Sequence, residues 1–433
     1  MSDHAIVVFK TQFSPNASQR AQLSSHIGAA RFAYNCLLAN VEEKRAMGER
    51  QDVSYFALDG FWIHELRETF AAHWWKNNAT DAYRSAARSL ADAYTRFFFK
   101  QSGHPRFKRK GGTESYTEGR ARLSIDADSI QLTRVGWVRL HERLKAAAWL
   151  IKCGATLQAV TVSREPTGRY HASLRLRVPS ALMAHFLKGK FSRKGSGFVG
   201  VDLGLKKFAT TSDGLVVPNP RYLRKLEAKL SKAQQAKARK YEARKKSDWA
   251  YPKSNSEHAA QLKVNRVYRK VKNQRQEFLI RTARQLVEKN TTVVIEDLNV
   301  KGMLANRYLA KSVSDASWSK FTRWLTHFSK QYGTEVIKVD RFYPSSKICS
   351  SCGAAKAKLS LGDRTYECEQ CGVSIDRDLN AALNLRAEGL EIVAARCAET
   401  VNGGEPSAVQ SKEPCKTRSK ASQGDQVPQE QPS

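Results

Sequence analysis

The sequence has no long hydrophobic run, which argues against a helical membrane protein. No stretch approaches the roughly 18 consecutive apolar residues that a membrane-spanning helix needs. The first residues, Met1-Ser2-Asp3-His4, lack the basic segment followed by an apolar segment that marks a secretory leader. No lipidation motif is present. We therefore expect a cytoplasmic protein with no membrane partner.

Acidic residues are scarce relative to basic ones. The 433 residues include 73 Lys and Arg but only 41 Asp and Glu, which gives a formal net charge of +32. Self-repulsion makes such an imbalance costly unless a polyanion neutralises it. We expect the partner to be a nucleic acid and not a membrane surface.

The cysteines show no disulfide framework. Four of the eight have no mutual spacing pattern, and these are Cys36, Cys153, Cys397 and Cys415. The other four form two tight pairs, Cys349-Ser-Ser-Cys352 and Cys368-Glu-Gln-Cys371, separated by fifteen residues. This distribution suits a reducing compartment and one metal site.

The two tight pairs predict a zinc ribbon. Two such knuckles place four thiolates about 2.3 Å from one Zn²⁺ ion, and the metal then stabilises a segment too small for its own core. Because four thiolates leave no open position for water, the zinc is expected to be structural. A redox Cys-x-x-Cys motif would not explain two pairs at this separation.

The N-terminal half predicts a β-barrel or sheet, residues 1–14 and 101–190, interrupted by a helical insertion at 15–100. An apolar run at 5–9 precedes Ser14-Pro15, which is typical of an N-cap and a first helical residue. Strict alternation returns at 170–178, which is typical of a strand with one buried face.

The helical insertion is rich in aromatic residues. At helical spacing such residues usually form a core, although they could also be platforms for stacked bases. We interpret as core the following residues: Phe61, Trp62, Trp74, Trp75, Phe97, Phe98 and Phe99.

The C-terminal half contains short apolar runs typical of core strands, at 198–201, 208–211, 215–217, 292–295 and 336–339. Between the third and fourth runs lies a predicted basic helical pair at 221–290. Residues 221–280 hold about 18 Lys and Arg against about five Asp and Glu, more than solubility needs. A further basic loop lies at 105–110. The polar segment 399–433 is predicted to be a disordered tail.

These two basic regions predict the contacts with nucleic acid. The residues chosen for this role are Arg106, Lys108, Arg109, Lys110, Arg224, Lys225, Lys232, Arg239, Lys240, Arg266, Arg269 and Lys270.

Three carboxylates are predicted to converge at one end of a sheet. Asp202 lies within Gly-Val-Asp-Leu-Gly at the end of an apolar run, and Glu296 closes Thr-Val-Val-Ile-Glu. Asp378 lies in Asp-Arg-Asp-Leu-Asn-Ala-Ala just after the second knuckle. Converging acids repel unless cations lie between them. Two Mg²⁺ (or Mn²⁺) ions roughly 4 Å apart would offset that cost and support phosphodiester hydrolysis. Asp376 and Asp297 could instead be caps or surface residues.

The order of these motifs resembles the TnpB/OrfB proteins of insertion sequences and their relatives among type V CRISPR effectors. The resemblance covers about residues 190–390, including Tyr-Pro-Ser-Ser-Lys at 343–347, and is weaker at Pro-Arg-Phe-Lys, 105–108. It implies an α/β and α+β multidomain protein with a wedge-like β-barrel and a helical recognition insertion. It also implies an RNase H-like RuvC nuclease domain, split into 191–345 and 372–398, around a zinc ribbon at 346–371.

The resemblance also implies a site and its partners. Asp202, Glu296 and Asp378 would be the catalytic metal ligands, with Asp376 the alternative to Asp378. The partners would be target DNA and a guide RNA made from the transposon end, with a monomer favoured over an oligomer. The expected function is RNA-guided DNA endonuclease. A repressor that binds without cutting and a transposase that joins strands remain alternatives.

Overall fold

The computed structural model describes residues 4–69, 74–112, 114–187, 191–192, 194–246, 253–357, 359–360 and 362–401. The described residues form two compact units. The first lies within Met1–Gly197, Pro218–Val293 and Asn299–Val336, and the second within Phe198–Val217, Val294–Leu298 and Ile337–Ser433. None of the described helices is long and apolar enough to cross a membrane.

The N-terminal part of the first unit mixes strands and helices. In chain order these are β1 (His4–Phe13), α1 (Ala17–Ala46), α2 (Tyr55–Phe61), α3 (Thr80–Phe98), β2 (Glu114–Glu118), β3 (Arg122–Leu123), β4 (Ser129–Leu132), β5 (Gly136–Arg139), α4 (Lys145–Lys152), β6 (Thr156–Arg164), β7 (Tyr170–Pro179) and α5 (Ser180–Leu187). A π-helical turn (Trp62–Leu66) and two 3-10 turns (Arg67–Thr69 and Trp74–Asn77) connect α2 to α3.

The remaining elements complete both units. They are β8 (Gly197–Asp202), β9 (Lys207–Thr211), β10 (Val216–Pro218), α6 (Tyr222–Lys225), α7 (Glu227–Lys246), α8 (Asn255–Lys289), β11 (Asn290–Glu296), α9 (Val300–Ala305), α10 (Ala310–Ala316), α11 (Trp318–Tyr332), β12 (Glu335–Val339), β13 (Thr365–Glu367), β14 (Ser374–Asp376) and α12 (Arg377–Val401). The predicted tail at 399–433 lies outside the described residues from position 402 onward.

The first unit contains a four-stranded antiparallel sheet in the order β1-β7-β6-β2. The alternation predicted for 170–178 is confirmed, because every second side chain of β7 from Tyr170 to Val178 is buried. A second sheet, β3-β4-β5, contributes Ile130, Leu132 and Val138 to the same hydrophobic core. Buried apolar side chains from both sheets therefore form one shared core.

Helices α1, α2 and α3 pack into a second core of the first unit. Trp62 is only 3% exposed and stacks on Tyr83 with 4.8 Å between ring centroids. Phe98 and Phe99 are 63% and 73% exposed, so the interpretation of these two residues as core is wrong. They lie at the C-terminal end of α3, and neither belongs to the core that α1, α2 and α3 share. The side chain of Trp74 lies outside the described residues.

Helix α1 begins two residues later than predicted. The N-cap is Asn16, whose side chain accepts from the N–H of Gln19, while the Gln19 side chain accepts from the N–H of Asn16. This reciprocal capping box satisfies two backbone donors, more than a cap at Ser14 offers. The Ser14 hydroxyl instead bonds the His141 ring, with 2.6 Å between Oγ and Nε2.

The predicted basic helical pair is present as α7 and α8. Its apolar stripes pack on each other, and their buried members are Leu230, Val264 and Val267. The pairing follows from burial of one stripe on each helix, which leaves the remaining faces to charged side chains.

The second unit is built on a five-stranded sheet in the order β10-β9-β8-β11-β12. Its core joins Val294 of β11 and Val339 of β12 to Leu385 of α12. The small hairpin β13-β14 pairs Thr365 with Asp376 and buries Tyr366 completely. The chain is therefore a mixed α/β protein in which the predicted core strands are present.

Candidate functional site

Asp202 and Glu296 end adjacent strands of the five-stranded sheet. Asp202 is the last residue of β8 and Glu296 is the last residue of β11. These strands are neighbours in the sheet order. Asp378 is the second residue of α12, immediately after the β13-β14 hairpin. Each of the three predicted acids thus lies at the end of a regular element in the second unit.

Two glycines allow α12 to lie close to the sheet. A Cβ at Gly200 would overlap the backbone of Ala382 and Arg386, and one at Gly389 would overlap the side chain of Val294. In a strand, residues two apart share a face, and in a helix, residues four apart do. Gly200 and Asp202 are two apart on β8, and Asp378 is four residues before Ala382. The close contact therefore brings the two carboxylates toward each other.

Asp378 and Glu296 lie close enough to Asp202 for their negative charges to act on its pKa. Burial, together with the negative charges of Asp378 and Glu296, raises the pKa of Asp202 to about 7. Burial also raises the pKa of Glu296, with a second contribution from the charge of Asp297. Carboxylates that are buried together resist ionisation because each anion repels the next. A bound cation would relieve this repulsion, so the donor set suits a divalent metal.

Asp376 has partners that differ from those of Asp378. One Asp376 oxygen accepts from the N–H groups of Asp378 and Leu379, at 3.0 and 3.1 Å, and so caps α12. Its other oxygen lies 2.7 Å from the Lys207 ammonium. These contacts lower the pKa of Asp376 against the effect of its partial burial. Lys207 also lies 3.6 Å from Asp378.

Lys207 was missed by sequence analysis. The ammonium lies between Asp376 and Asp378, which raises its pKa chiefly through the hydrogen bond to Asp376. Lys207 begins β9, which pairs antiparallel with β8. In the sequence, Lys207 is only a lysine at the start of the strand after β8, which is a weak signal of a site residue. Its contacts with Asp376 and Asp378 depend on where α12 packs.

Asp297, the neighbour of Glu296, is held by cations. Arg341 contacts its carboxylate at 2.8 Å and Lys338 at 3.8 Å. Its backbone N–H donates to Val339 at the end of β12. These contacts fix the turn that follows Glu296.

The four paired cysteines form a cluster that could bind a metal ion. Their Sγ atoms all lie within 4.8 Å of one another. The Cys349–Cys371 and Cys352–Cys368 separations are both 3.6 Å. A tetrahedron of thiolates with bonds of 2.3 Å to a central ion has edges of about 3.8 Å. Hydrogen bonds from the backbone N–H groups of Cys371 and Gln370 help to lower the pKa of Cys368 to about 6, which favours the thiolate ligand.

Two buried asparagines connect the cysteine cluster to α12. The Asn380 side chain donates to the carbonyl of Ile348 at 2.7 Å and accepts from the N–H of Ser350 at 2.9 Å. Asn384 donates to the carbonyls of Ser345 and Ile348, both at 2.7 Å. The first knuckle is thereby fixed to the first turns of the helix that carries Asp378.

Residues 106–110 of the basic loop are exposed, and one of their cations, Lys108, lies over an aromatic ring of α1. The Lys108 ammonium lies 3.9 Å from the centroid of the Tyr34 ring. Desolvation there lowers the pKa of Lys108 to about 8. Asn35 fixes the loop, because it bonds both the N–H and the carbonyl of Lys108. Arg106, Arg109 and Lys110 are exposed to solvent.

The predicted cations of the helical pair lie mainly at the surface. Arg269 is half-buried, and the others are exposed, namely Arg224, Lys225, Lys232, Arg239, Lys240, Arg266 and Lys270. Because the apolar stripes face each other, these cations are available to a polyanion.

Family models match three stretches of the chain. A model named OrfB_IS605, described as "Probable transposase", matches residues 191–307. A helix-turn-helix domain model of the same group matches residues 6–50. A model described as "Cas12f1-like, TNB domain" matches residues 318–385, which include the four cysteines of the cluster.

Full-length relatives match as well. A protein of Streptomyces pristinaespiralis is 32% identical over 409 residues, which cover 91% of both chains. InsQ of Escherichia coli strain K12 is 26% identical over 415 residues, which cover 92% of this chain and 95% of that protein. Both are named "Putative RNA-guided DNA endonuclease". The cryo-EM structure of the Cas12f1-sgRNA-target DNA complex is similar over 89% of this chain and 99% of that chain, at 14% identity and a TM-score of 0.44.

Proposed function

The chain belongs to the TnpB/OrfB family of insertion-sequence proteins, and from this membership we propose that it is an RNA-guided DNA endonuclease encoded by a transposable element. Its partners would be a guide RNA made from the transposon end and the target DNA. Pairing of the guide would read the sequence, while the protein holds the backbones.

The observation that carries the proposal is the buried carboxylate of Asp202 at the end of β8, whose pKa is raised in part by the charges of Asp378 and Glu296. Asp202, Glu296 and Asp378 would hold two Mg²⁺ or Mn²⁺ ions. Bound there, the ions would supply Lewis-acid stabilisation of the attacking and leaving oxygens in hydrolysis of a phosphodiester. The carboxylates would position the ions at the end of the sheet. The 3′-oxygen would leave, giving 5′-phosphate ends.

We choose Asp378 over Asp376 as the third ligand because of their contacts. The Asp376 oxygens are engaged by two backbone N–H groups and by Lys207. The charge of Asp378 acts directly on Asp202. Lys207 would hold Asp376 in place and orient the carboxylate of Asp378 beside it.

We also propose that the cysteine cluster holds one structural Zn²⁺ ion, because its sulfur separations fit tetrahedral thiolate coordination. The RNase H-like RuvC domain would comprise residues 191–345 and 372–398, split around the zinc ribbon at 346–371. The N-terminal sheets would form the wedge-like barrel, and a bridge between Phe13 and Leu140 supports closure between β1 and the end of β5.

The test is cleavage by protein purified from cells that carry its flanking DNA. We expect a discrete RNA to copurify, and replacement of a short segment at its end to redirect Mg²⁺-dependent cutting to the matching DNA. The products should be free ends. Joined strands would indicate a transposase. Heterogeneous RNA, together with RNase-resistant cutting at a fixed site, would overturn guidance and leave a nuclease that reads DNA directly.

A further inference from the structure

A cationic cleft lies between α8 and α11 in the first unit. Two adjoining cavities, of about 460 and 180 Å³, share Lys272 and Arg275 of α8 and Lys320 of α11. The larger extends to the β6-β7 turn and the smaller to Arg323 and Trp324 of α11. We define the α8–α11 cleft by Arg269, Lys272, Arg275, Lys320, Arg323 and Trp324.

The charge of this cleft is largely unneutralised. Arg275 pairs with Asp315 at 2.6 Å, and Asp315 also accepts from the N–H of Leu223. Across the described residues, Arg269, Lys272, Lys320 and Arg323 have no carboxylate within 4.0 Å. The carboxylate of Glu165 at the cleft's edge lies 3.3 Å from the His171 ring instead. Four cations in one concave surface attract a polyanion strongly.

Aromatic rings lie at both ends of the cleft. Tyr268, 48% exposed, lines the larger cavity, and its hydroxyl accepts from Gln234 at 3.0 Å. Trp324 lines the smaller cavity and stacks on Phe328, with 5.7 Å between centroids and 22° between planes. Rings fixed by such contacts beside cations are typical of surfaces that bind single-stranded nucleic acid.

The cations follow the two helices at one-turn spacing. Arg269, Lys272 and Arg275 are three residues apart on α8, and Lys320 and Arg323 are three apart on α11. Successive members are therefore about 4.5 Å apart along each axis. Rows of this kind on two adjacent helices can contact successive phosphates of an extended strand.

We propose that the α8–α11 cleft binds the sugar–phosphate backbone of a single-stranded segment of the guide RNA. This rests on the proposed function and extends it, because the sequence predicted only Arg269 of these residues as a nucleic-acid contact. A guide RNA that stays bound would neutralise the cleft continuously, whereas target DNA would do so only while it is bound. The cleft also lies in the unit that does not contain the three carboxylates.

The test measures RNA affinity of the full chain carrying K272E, K320E and R323E. The probe is the labelled RNA that copurifies with the wild-type protein, titrated at several salt concentrations. We expect the dissociation constant to rise at least about tenfold, and the slope of log affinity against log salt to fall by about two, because three phosphate contacts are lost. Ultraviolet crosslinking of the wild-type complex should attach RNA to the α11 peptide containing Trp324.

The matched control carries R281E, K301E and K330E, three exposed cations outside the cleft with the same change in net charge. It should retain most of the affinity and the slope. Equal losses in both variants, or none in the cleft variant, would overturn the proposal. So would a loss confined to binding of target DNA by the assembled complex, which would assign the cleft to DNA. If no RNA copurifies with the wild-type protein, the proposed guided function itself fails. That outcome is distinct from failure of the cleft proposal alone.

Discussion

Asp376 and Asp378 are two positions apart but have different contacts, and this difference predicts different effects of substitution. Asp378→Ala should abolish cleavage, because it removes a proposed metal ligand. Asp376→Ala should keep most of the cleavage and lower the free energy of unfolding by about 1 kcal/mol, because it removes the cap of α12. Cleavage of a guide-matched duplex and thermal denaturation measure the two effects.

Binding of guide RNA distinguishes the loss of a metal ligand from the loss of the fold in these two variants. Both variants should bind guide RNA like the wild type, because the basic surfaces are unchanged. Residual cutting by Asp378→Ala together with inactive Asp376→Ala would show that Asp376 is the ligand.

Glu118 predicts a pH-dependent stability. It is fully buried, one oxygen accepts from the Thr133 N–H, and burial raises its pKa from 4.5 to about 7. Between these values the folded state binds more protons than the unfolded state, so the free energy of unfolding falls as pH rises. At pH 8 Glu118 is ionised in the folded state, which lowers the free energy of unfolding by roughly 3 kcal/mol relative to low pH.

Glu118→Gln should therefore be more stable than the wild type at pH 8 and nearly equal to it at pH 4.5. The amide keeps an oxygen for Thr133 but cannot ionise. Denaturation midpoints across this pH range measure the difference. A constant difference between the two proteins would contradict the predicted ionisation.

At the residue scale, the sequence predicted features that depend on residues close together in the chain. The spacing of the cysteine pairs predicted a cluster that the structure contains. The convergence of the three acids stays a prediction, although β8 and β11, which end in two of them, are neighbours in the sheet. Lys207 could not be predicted, since its contact with Asp376 joins residues 169 positions apart and depends on the packing of α12.

At the scale of elements, α12 connects the cysteine cluster to the carboxylates. Asn380 and Asn384 hold the first knuckle to this helix. We expect one zinc ion per chain by elemental analysis, and its loss in Cys368→Ser should reduce cleavage by displacing Asp378. Cys153→Ser, which changes an exposed cysteine outside the cluster, should keep both zinc and activity. Active protein without zinc would contradict this coupling.

The close packing of α12 predicts a second effect at this scale. In Gly200→Ala the added methyl meets the backbone of Ala382 and Arg386, which cannot move aside as a side chain can. The helix must shift, at a cost of about 1–3 kcal/mol. A displacement of about 1 Å at Asp378 should slow cleavage roughly 100-fold.

Gly28→Ala is the matched control, because its methyl would meet nothing within 4 Å in α1. That variant should be unchanged or slightly more stable, since alanine favours a helix. Cleavage rates under single-turnover conditions compare the two. Wild-type cleavage by Gly200→Ala would show that the helix position is not critical.

Element boundaries were predicted less well than elements. The start of α1 depended on a reciprocal bond between Asn16 and Gln19 that competes with the Ser14-Pro15 signal. The second wall of the cationic cleft was not predicted either. Lys320 and Arg323 are ordinary exposed residues of an amphipathic helix, and only its packing beside α8 gives them a shared surface.

At the scale of the whole molecule, the net charge of +32 makes folding sensitive to its ionic surroundings. Without a polyanion, like charges repel more strongly in the folded state than in the expanded chain. Salt reduces this repulsion, since the screening length falls from about 30 Å at 0.01 M to about 10 Å at 0.1 M. The unfolding midpoint of RNA-free protein should therefore rise as salt is added.

The RNA-bound protein should respond in the opposite direction. At low salt its midpoint should exceed that of the free protein, because a ligand that binds only the folded state stabilises it. Rising salt weakens the phosphate contacts, so this midpoint should fall until the two curves meet. Intrinsic fluorescence during heating, with and without RNA across a salt series, measures both curves. The R281E/K301E/K330E control carries less charge, so its RNA-free midpoint should rise less steeply. If the unfolding midpoint of the RNA-free protein instead falls as salt is added, then RNA binding does not stabilise the protein by relieving self-repulsion.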